Sequence, residues 1–73
     1  MTRLSPLSSR EISRRLLKLG FILARKRGSH TMWQHSDGRC TVLPVHKGED
    51  IGRGLLRSIL REINIPWEEF HKL

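Results

Sequence analysis

Cysteine and aromatic residues are scarce in this sequence. Cys40 is the single cysteine among 73 residues, so an internal disulfide is impossible and a cysteine-rich zinc site is excluded. There are two tryptophans, two phenylalanines and no tyrosine. A chain of this length forms one domain with a thin core and marginal stability. The lone cysteine favours a reducing, cytoplasmic setting, where a bound partner can add stability.

Long apolar runs are also missing. No segment approaches the roughly 18 consecutive apolar residues of a membrane-spanning helix, and the N-terminus lacks the apolar core of a signal peptide. We therefore expect a soluble, intracellular protein without a membrane segment.

Acidic residues are outnumbered by basic ones. Fourteen lysines and arginines oppose seven aspartates and glutamates, giving a formal net charge of +7 and a pI near 11.2. Residues 1–30 carry eight of the cations and a single acid, Glu11. A one-sided positive field favours a polyanionic partner, because each phosphate contact releases counterions. Nucleic acid is therefore the first interpretation, and a basic face that docks on an acidic protein is the alternative.

A first amphipathic helix is predicted after residues 1–7, which are expected to be a loose lead-in. Ser8-Ser9-Arg10-Glu11 fits the capping box, with Ser8 as N-cap and the Glu11 carboxylate reaching back to it. Gly20 suits the position just after the helix. The apolar stripe consists of Ile12, Leu16 and Leu19, and the opposite, basic side of Arg10, Arg14 and Lys18.

A second helix is predicted from about Gly52 to Ile63. Its broad apolar face consists of Leu55, Leu56, Ile59, Leu60 and Ile63. Asn64 can end this helix, and Pro66 can occupy the first position of a last helical turn. Trp67 and Phe70 are expected to anchor that turn in the core.

Three strands are predicted between the helices: Phe21 to Arg27, His30 to His35, and Cys40 to Val45. Asp37-Gly38 is typical of a tight hairpin, and Pro44 indicates an edge or the end of a strand. The order α-β-β-β-α indicates one α+β domain over residues 1–73. A three-stranded antiparallel sheet with both helices on one face buries these stripes most simply and leaves the other face open to a ligand.

His30 is the leading candidate for a catalytic residue. It follows three cations, Arg25, Lys26 and Arg27, then Gly28 and Ser29. Cleaving RNA at a ribose 2′-OH requires a base, an acid and cations that stabilise charge on the phosphoryl oxygens. Histidine suits the proton transfers, and lysine, arginine and serine suit the phosphate. The alternative is a surface histidine at the start of a strand.

The sequence around His35 and His46 gives weaker evidence for a role in catalysis than the sequence around His30. His35 lies beside the hairpin turn and is expected to be solvated. His46, followed by Lys47, ends the third strand, and antiparallel pairing can bring it towards the start of the second. The spacing of His30, His35 and His46 matches no known metal-ligand pattern. We therefore expect no metal and no cofactor.

The aromatic residues are expected to pack rather than to bind. Trp33 and Phe21 can in principle stack on bases, as aromatics do on RNA-binding sheets. With so few aromatic residues in a thin core, packing is the preferred interpretation for each, and Cys40 is interpreted as a small strand hydrophobe.

Together these motifs resemble the HicA (YcfA-like) family of mRNA interferase toxins. The resemblance runs in order and spacing from about Ile12 to Phe70. It rests on Leu19-Gly20-Phe21, Gly28-Ser29-His30, Asp37-Gly38-Arg39, Pro44-Val45-His46 and Gly54-Leu55-Leu56-Arg57-Ser58-Ile59-Leu60. The sequence departs from the family at Gly54-Leu55, where members often have a threonine after the glycine.

The resemblance implies a fold like that of double-stranded-RNA-binding domains and a ribonuclease that cleaves mRNA and stops translation. It also implies a HicB-type antitoxin that covers the active site. The family's catalytic histidine falls on His30, and its Pro-x-His falls on Pro44 and His46. The predicted function is thus a metal-independent endoribonuclease toxin acting on mRNA in the cytoplasm. A non-catalytic RNA-binding module of the same fold is the alternative.

Overall fold

A computed structural model describes residues 3–73. Its elements are β1 (Leu7–Ser8), α1 (Ser9–Lys18), β2 (Ile22–Arg27), β3 (His30–Gln34), β4 (Cys40–Pro44), β5 (Asp50–Ile51), α2 (Arg53–Ile63) and α3 (Trp67–Phe70). Strands β2, β3 and β4 form an antiparallel sheet in that order, and β1 pairs with β5 in a separate antiparallel ladder. The predicted α+β class and its three-stranded antiparallel sheet are confirmed.

The core lies between one face of the sheet and the helices. Along β3 and β4 every second residue is buried, and these are Thr31, Trp33, Thr41 and Leu43. They belong to the same buried layer as Ile12 and Leu16 of α1 and the apolar face of α2. Because side chains alternate across a strand, the residues between them point to the opposite face, which none of the helices in residues 3–73 covers.

Helix α1 begins and ends largely as its sequence predicts. The Ser8 hydroxyl accepts a hydrogen bond from the Glu11 backbone N–H at 3.1 Å. The other half of the capping box is wrong, because the Glu11 carboxylate accepts from the Arg14 guanidinium instead. At the other end Phe21 N–H donates to Leu16 O at 2.9 Å, and Gly20 has a φ of 95°. That pattern is a Schellman ending, which requires a left-handed residue.

Helix α2 starts one residue later than expected, with Gly52 as its N-cap, and ends at Asn64, whose φ is 58°. Pro66 is the N-cap of α3 and not its first helical residue, so that prediction is wrong by one position. Trp67 and Phe70 are buried, as expected for anchors.

The bounds of three predicted strands and one expectation for the lead-in need correction. Phe21 lies before β2, because its backbone closes α1 and its ring is buried. His35 and Val45 lie just outside the strands predicted to include them. The lead-in is not loose at Leu7, which pairs with Ile51. Residues 1–2 of the lead-in lie outside the described part of the chain.

Candidate functional site

His30 is an exposed residue at the end of the sheet. It is the first residue of β3, with Arg27 opposite it on β2 and Pro44 opposite it on β4. The two-residue turn before it contains Gly28, whose φ of 58° favours glycine. Ser29 O accepts a hydrogen bond from Val45 N–H at 2.6 Å, which fixes this turn to the chain leaving β4. The backbone under His30 is therefore held on both sides.

Two of the three neighbouring cations share a face with His30. Opposed residues of an antiparallel pair project to the same side of a sheet. Arg27 is opposite His30 and Arg25 is opposite Met32, so both lie on the open face. Lys26 is opposite Thr31, whose side chain is buried, so Lys26 projects to the helix side of this edge strand. The sequence run Arg-Lys-Arg is thus divided between two faces.

A shallow cavity of about 170 Å³ lies on this open face. It is lined by Arg25, Arg27, His30, Thr31, Met32 and Val42. Within residues 3–73 neither arginine forms an ion pair, since all four pairs of the described chain involve other cations. The cavity therefore combines one imidazole and two free guanidinium groups with no carboxylate in its lining, an arrangement that attracts a phosphate-bearing ligand.

Met32 and Val42 are parts of this cavity that the sequence reasoning missed. They face each other across β3 and β4, and Val42 is 42% exposed. The sequence did contain an indication of this, because side chains alternate between the two faces of a strand and Met32 lies two residues after His30. Met32 is therefore on the same face as His30.

His46 and Lys47 lie in a second, separate groove. That groove, of about 500 Å³, is formed by the loop before β5 and the start of α1, and its lining includes Ser9 and Arg10. Both His46 and Lys47 are exposed. His46 follows Val45, the residue bonded to Ser29, so the two grooves meet near the turn that precedes His30. The expected approach of His46 to the start of β3 agrees with this register.

His35 is held by its neighbours, and the expectation that it is solvated is wrong. Its side chain is only 20% exposed. The ring meets Phe21 edge-on at 5.1 Å, and Nδ1 accepts a hydrogen bond from the Asp37 backbone N–H at 3.1 Å. A Cβ at Gly20 would lie 3.0 Å from its Nε2 atom. His35 therefore fills the junction between the hairpin and the end of α1.

The Asp37-Gly38-Arg39 stretch has a structural role that the sequence did not reveal. Arg39 donates to both Asp37 carboxylate oxygens and, through Nη1, to the Ile63 carbonyl at the end of α2. Its guanidinium also lies 5.1 Å from the centre of the Phe21 ring. The Arg39 backbone N–H and then its side chain hold the pKa of Asp37 below its ordinary value. These contacts join the hairpin tip to α2.

The aromatic residues of the sheet region pack in the core, as predicted. Phe21 and Trp33 are 1% and 5% exposed, so neither ring is available to stack on a base. Trp33 Nε1 donates to the Thr31 hydroxyl at 3.0 Å, and Thr31 in turn donates to Leu43 O. Cys40 differs from its predicted packing role, because it is exposed on the open face opposite Gln34.

No group of three or more histidine, cysteine or acidic side chains in residues 3–73 is arranged to hold a metal ion. In the same part of the chain, no helix has the length and apolar character needed to cross a membrane.

The family comparison agrees with the motifs and the fold. Residues 9–65 match the family model described as the HicA toxin of bacterial toxin–antitoxin systems. No curated protein matches the chain significantly. The matched region includes α1, the whole three-stranded sheet and α2, together with His30 and both arginines of the open face. The chain therefore belongs to the HicA family and is a toxin of a toxin–antitoxin system.

Proposed function

We propose that this toxin is a metal-independent endoribonuclease that cleaves mRNA in the cytoplasm and so inhibits translation. The observation that carries the proposal is the position of His30 on the open face, opposite Arg27 and on the same side as Arg25, two arginines that form no ion pair among the described residues. A proton-transfer group beside two phosphate-binding cations supplies what attack by a ribose 2′-OH requires.

In this mechanism the arginines bind the scissile phosphate and its neighbour, and Ser29 supports the backbone beside it. The 2′-oxygen attacks phosphorus while its proton leaves, and the 5′-oxygen departs with a proton. His30 carries one of these two proton transfers, and water carries the other, because the cavity lining contains no second acid–base group. The products are a 2′,3′-cyclic phosphate and a free 5′-hydroxyl.

The second groove extends the proposed path of the RNA beyond the turn at Gly28-Ser29. His46 and Lys47 line it together with Arg10 at the start of α1, and Glu49 and Asp50 line its other part. The positive end of the α1 dipole favours phosphate on the side of Arg10. We assign these residues to backbone binding and not to chemistry.

The antitoxin implied by the family is proposed to be of the HicB type and to cover the open face. An exposed face with free arginines and an apolar centre needs a partner that supplies negative charge and apolar contact.

The first test is a cleavage time course of the purified protein on mRNA, with and without excess EDTA. We expect cleavage in both samples, with 2′,3′-cyclic phosphate or 3′-phosphate ends. His30→Ala should lower the rate by about 10²–10⁴, the usual loss for an acid–base group. Gln34→Ala, at the other end of the same strand and on the same face, should cleave at the parental rate.

Other outcomes would contradict the mechanism in distinct ways. Products with 5′-phosphate and 3′-hydroxyl ends, or loss of activity in EDTA, would indicate a metal-dependent nuclease. RNA binding without cleavage would favour the non-catalytic module, in which His30 only contacts phosphate or ribose. No RNA binding would favour a basic face that serves an acidic protein.

A further inference from the structure

The centre of the open face is apolar although its margins are cationic. Met32 and Val42 form a cross-strand pair, with Arg25 opposite Met32 on β2 and His30 two residues before Met32 on β3. Val42 leaves 42% of its surface in contact with solvent. Binding of phosphate alone requires no apolar surface, and exposing such surface forgoes the stabilisation of burial. The pair therefore indicates a ligand that has an apolar surface as well as charge.

The size of the cavity suits one ring system. Its volume is about 170 Å³, and an apolar cavity of about 150 Å³ accommodates a benzene molecule. A single heterocyclic base fits this space. A nucleobase has apolar faces that match Met32 and Val42, and the chain that carries it has a phosphate on each side to match the arginines.

We propose that this cavity is a nucleobase subsite, in which one base of the RNA lies on Met32 and Val42 beside the phosphate that is cut. The inference rests on the proposed function and deepens it. Arg25, which is opposite Met32, is placed to cover the second face of the base with its planar guanidinium. The subsite makes Met32 and Val42 the residues that contact the base, while the arginines contact the phosphates.

The test compares two uncleavable single strands that differ only in their bases. One is oligothymidylate, and the other is a chain of equal length built from the abasic analogue tetrahydrofuran phosphate. Neither carries a 2′-OH, so the unmodified protein can be used, and binding is measured by fluorescence anisotropy at fixed salt. We expect oligothymidylate to bind about tenfold more tightly, which corresponds to about 1.4 kcal/mol.

Two double variants locate the preference. In Met32→Ala with Val42→Ala the preference should fall to about one, while the affinity for the abasic chain stays as in the parent. The matched control is Gln34→Ala with Cys40→Ala, the next cross-strand pair on the same face, which should keep the preference. If the first variant is misfolded by circular dichroism, Val42→Thr has nearly the same shape and should still reduce the preference.

Each of the other possible results would contradict a specific part of the proposal. Equal binding of the two chains by the parent removes the base subsite and leaves the phosphate contacts, and with them the proposed function, intact. A preference kept by both double variants places the base elsewhere and also removes the subsite. Failure of both chains to bind contradicts the proposed RNA binding, and the subsite falls with it.

Discussion

The histidines of this toxin differ in what their neighbours allow them to do. His30 is exposed at the end of a strand, and nothing packs over it in the described chain. His35 is enclosed between the Phe21 ring and the backbone of the hairpin loop. An exposed imidazole can change partners during a reaction cycle, whereas an enclosed one that accepts a backbone hydrogen bond cannot do so without local opening.

Replacing His35 should therefore affect stability. His35→Ala removes the acceptor for the Asp37 backbone N–H and the ring that packs on Phe21. We expect the free energy of unfolding to fall by about 1–3 kcal/mol, the range for a lost hydrogen bond with its packing. Urea denaturation followed by circular dichroism measures this change.

His46→Ala is the matched control, because His46 is exposed and makes no side-chain hydrogen bond among the described residues. It should unfold at the parental urea concentration. Equal midpoints for both variants would mean that the junction around Gly20 does not depend on the His35 ring.

Individual residues of the candidate site could be predicted from the sequence only where the neighbouring residues in the chain indicate their position. His30 follows from the glycine turn and the cations before it, and it lies on the open face as the proposed chemistry needs. Met32 and Val42 could not be recognised as a pair, because their contact depends on the register between β3 and β4. The roles of His35 and Arg39 depend on α1 and α2, which are distant in the sequence.

At the scale of elements, long periodic segments were predictable and short ones were not. Helices α1 and α2 carry clear apolar stripes and end signals, and the structure places them within a residue or two of prediction. Strands β1 and β5 have two residues each, too few for any period to show. Their pairing of Leu7 with Ile51 is a tertiary contact that local sequence does not encode.

Strand β2 distributes three consecutive cationic side chains between the two faces of the sheet. All six of its residues are exposed, because it is an edge strand beyond the cover of the helices. An irregularity between Leu23 and Arg25 shifts its register, so that Arg25 and Arg27 fall on the side of His30. A bulge at this position decides which cations face the ligand.

The division of the three cations of β2 between the two faces of the sheet gives a direct prediction for RNA binding. Arg25→Ala and Arg27→Ala should each weaken binding to single-stranded RNA and reduce the salt slope of log K by roughly 0.7. Lys26→Ala should change the slope much less, because its side chain projects to the other side. Affinities measured across a series of salt concentrations test this. A slope lowered equally by all three changes would place the RNA along the edge of β2 and not on the open face.

At the scale of the whole molecule, the positive charge is less free than the composition suggests. Arg15 is 9% exposed, lies 5.6 Å from the centre of the Phe70 ring and approaches Glu11 at 3.5 Å. Arg14 pairs with the same carboxylate, whose pKa is lowered by that hydrogen bond. The cations left without acidic partners include those of the open face. The proposed RNA site therefore keeps the full positive charge of Arg25 and Arg27.

The same thin, one-sided molecule should gain much of its stability from its antitoxin. A partner that binds only the folded state stabilises it by RT ln(1 + [L]/Kd), about 2.7 kcal/mol at a hundredfold excess over Kd. For a domain of this size that corresponds to a rise in Tm of roughly 10 °C or more.

If the antitoxin covers the open face, single-stranded RNA should compete with it. Arg25→Ala combined with Arg27→Ala should then weaken the binding of both the RNA and the antitoxin. Arg57→Ala, an exposed arginine on α2, is the matched control and should weaken neither. Calorimetry and competition anisotropy with the cognate antitoxin measure both effects. A Tm rise that survives the double variant unchanged, without competition by RNA, would place the antitoxin on another surface and require it to inhibit the toxin without covering His30.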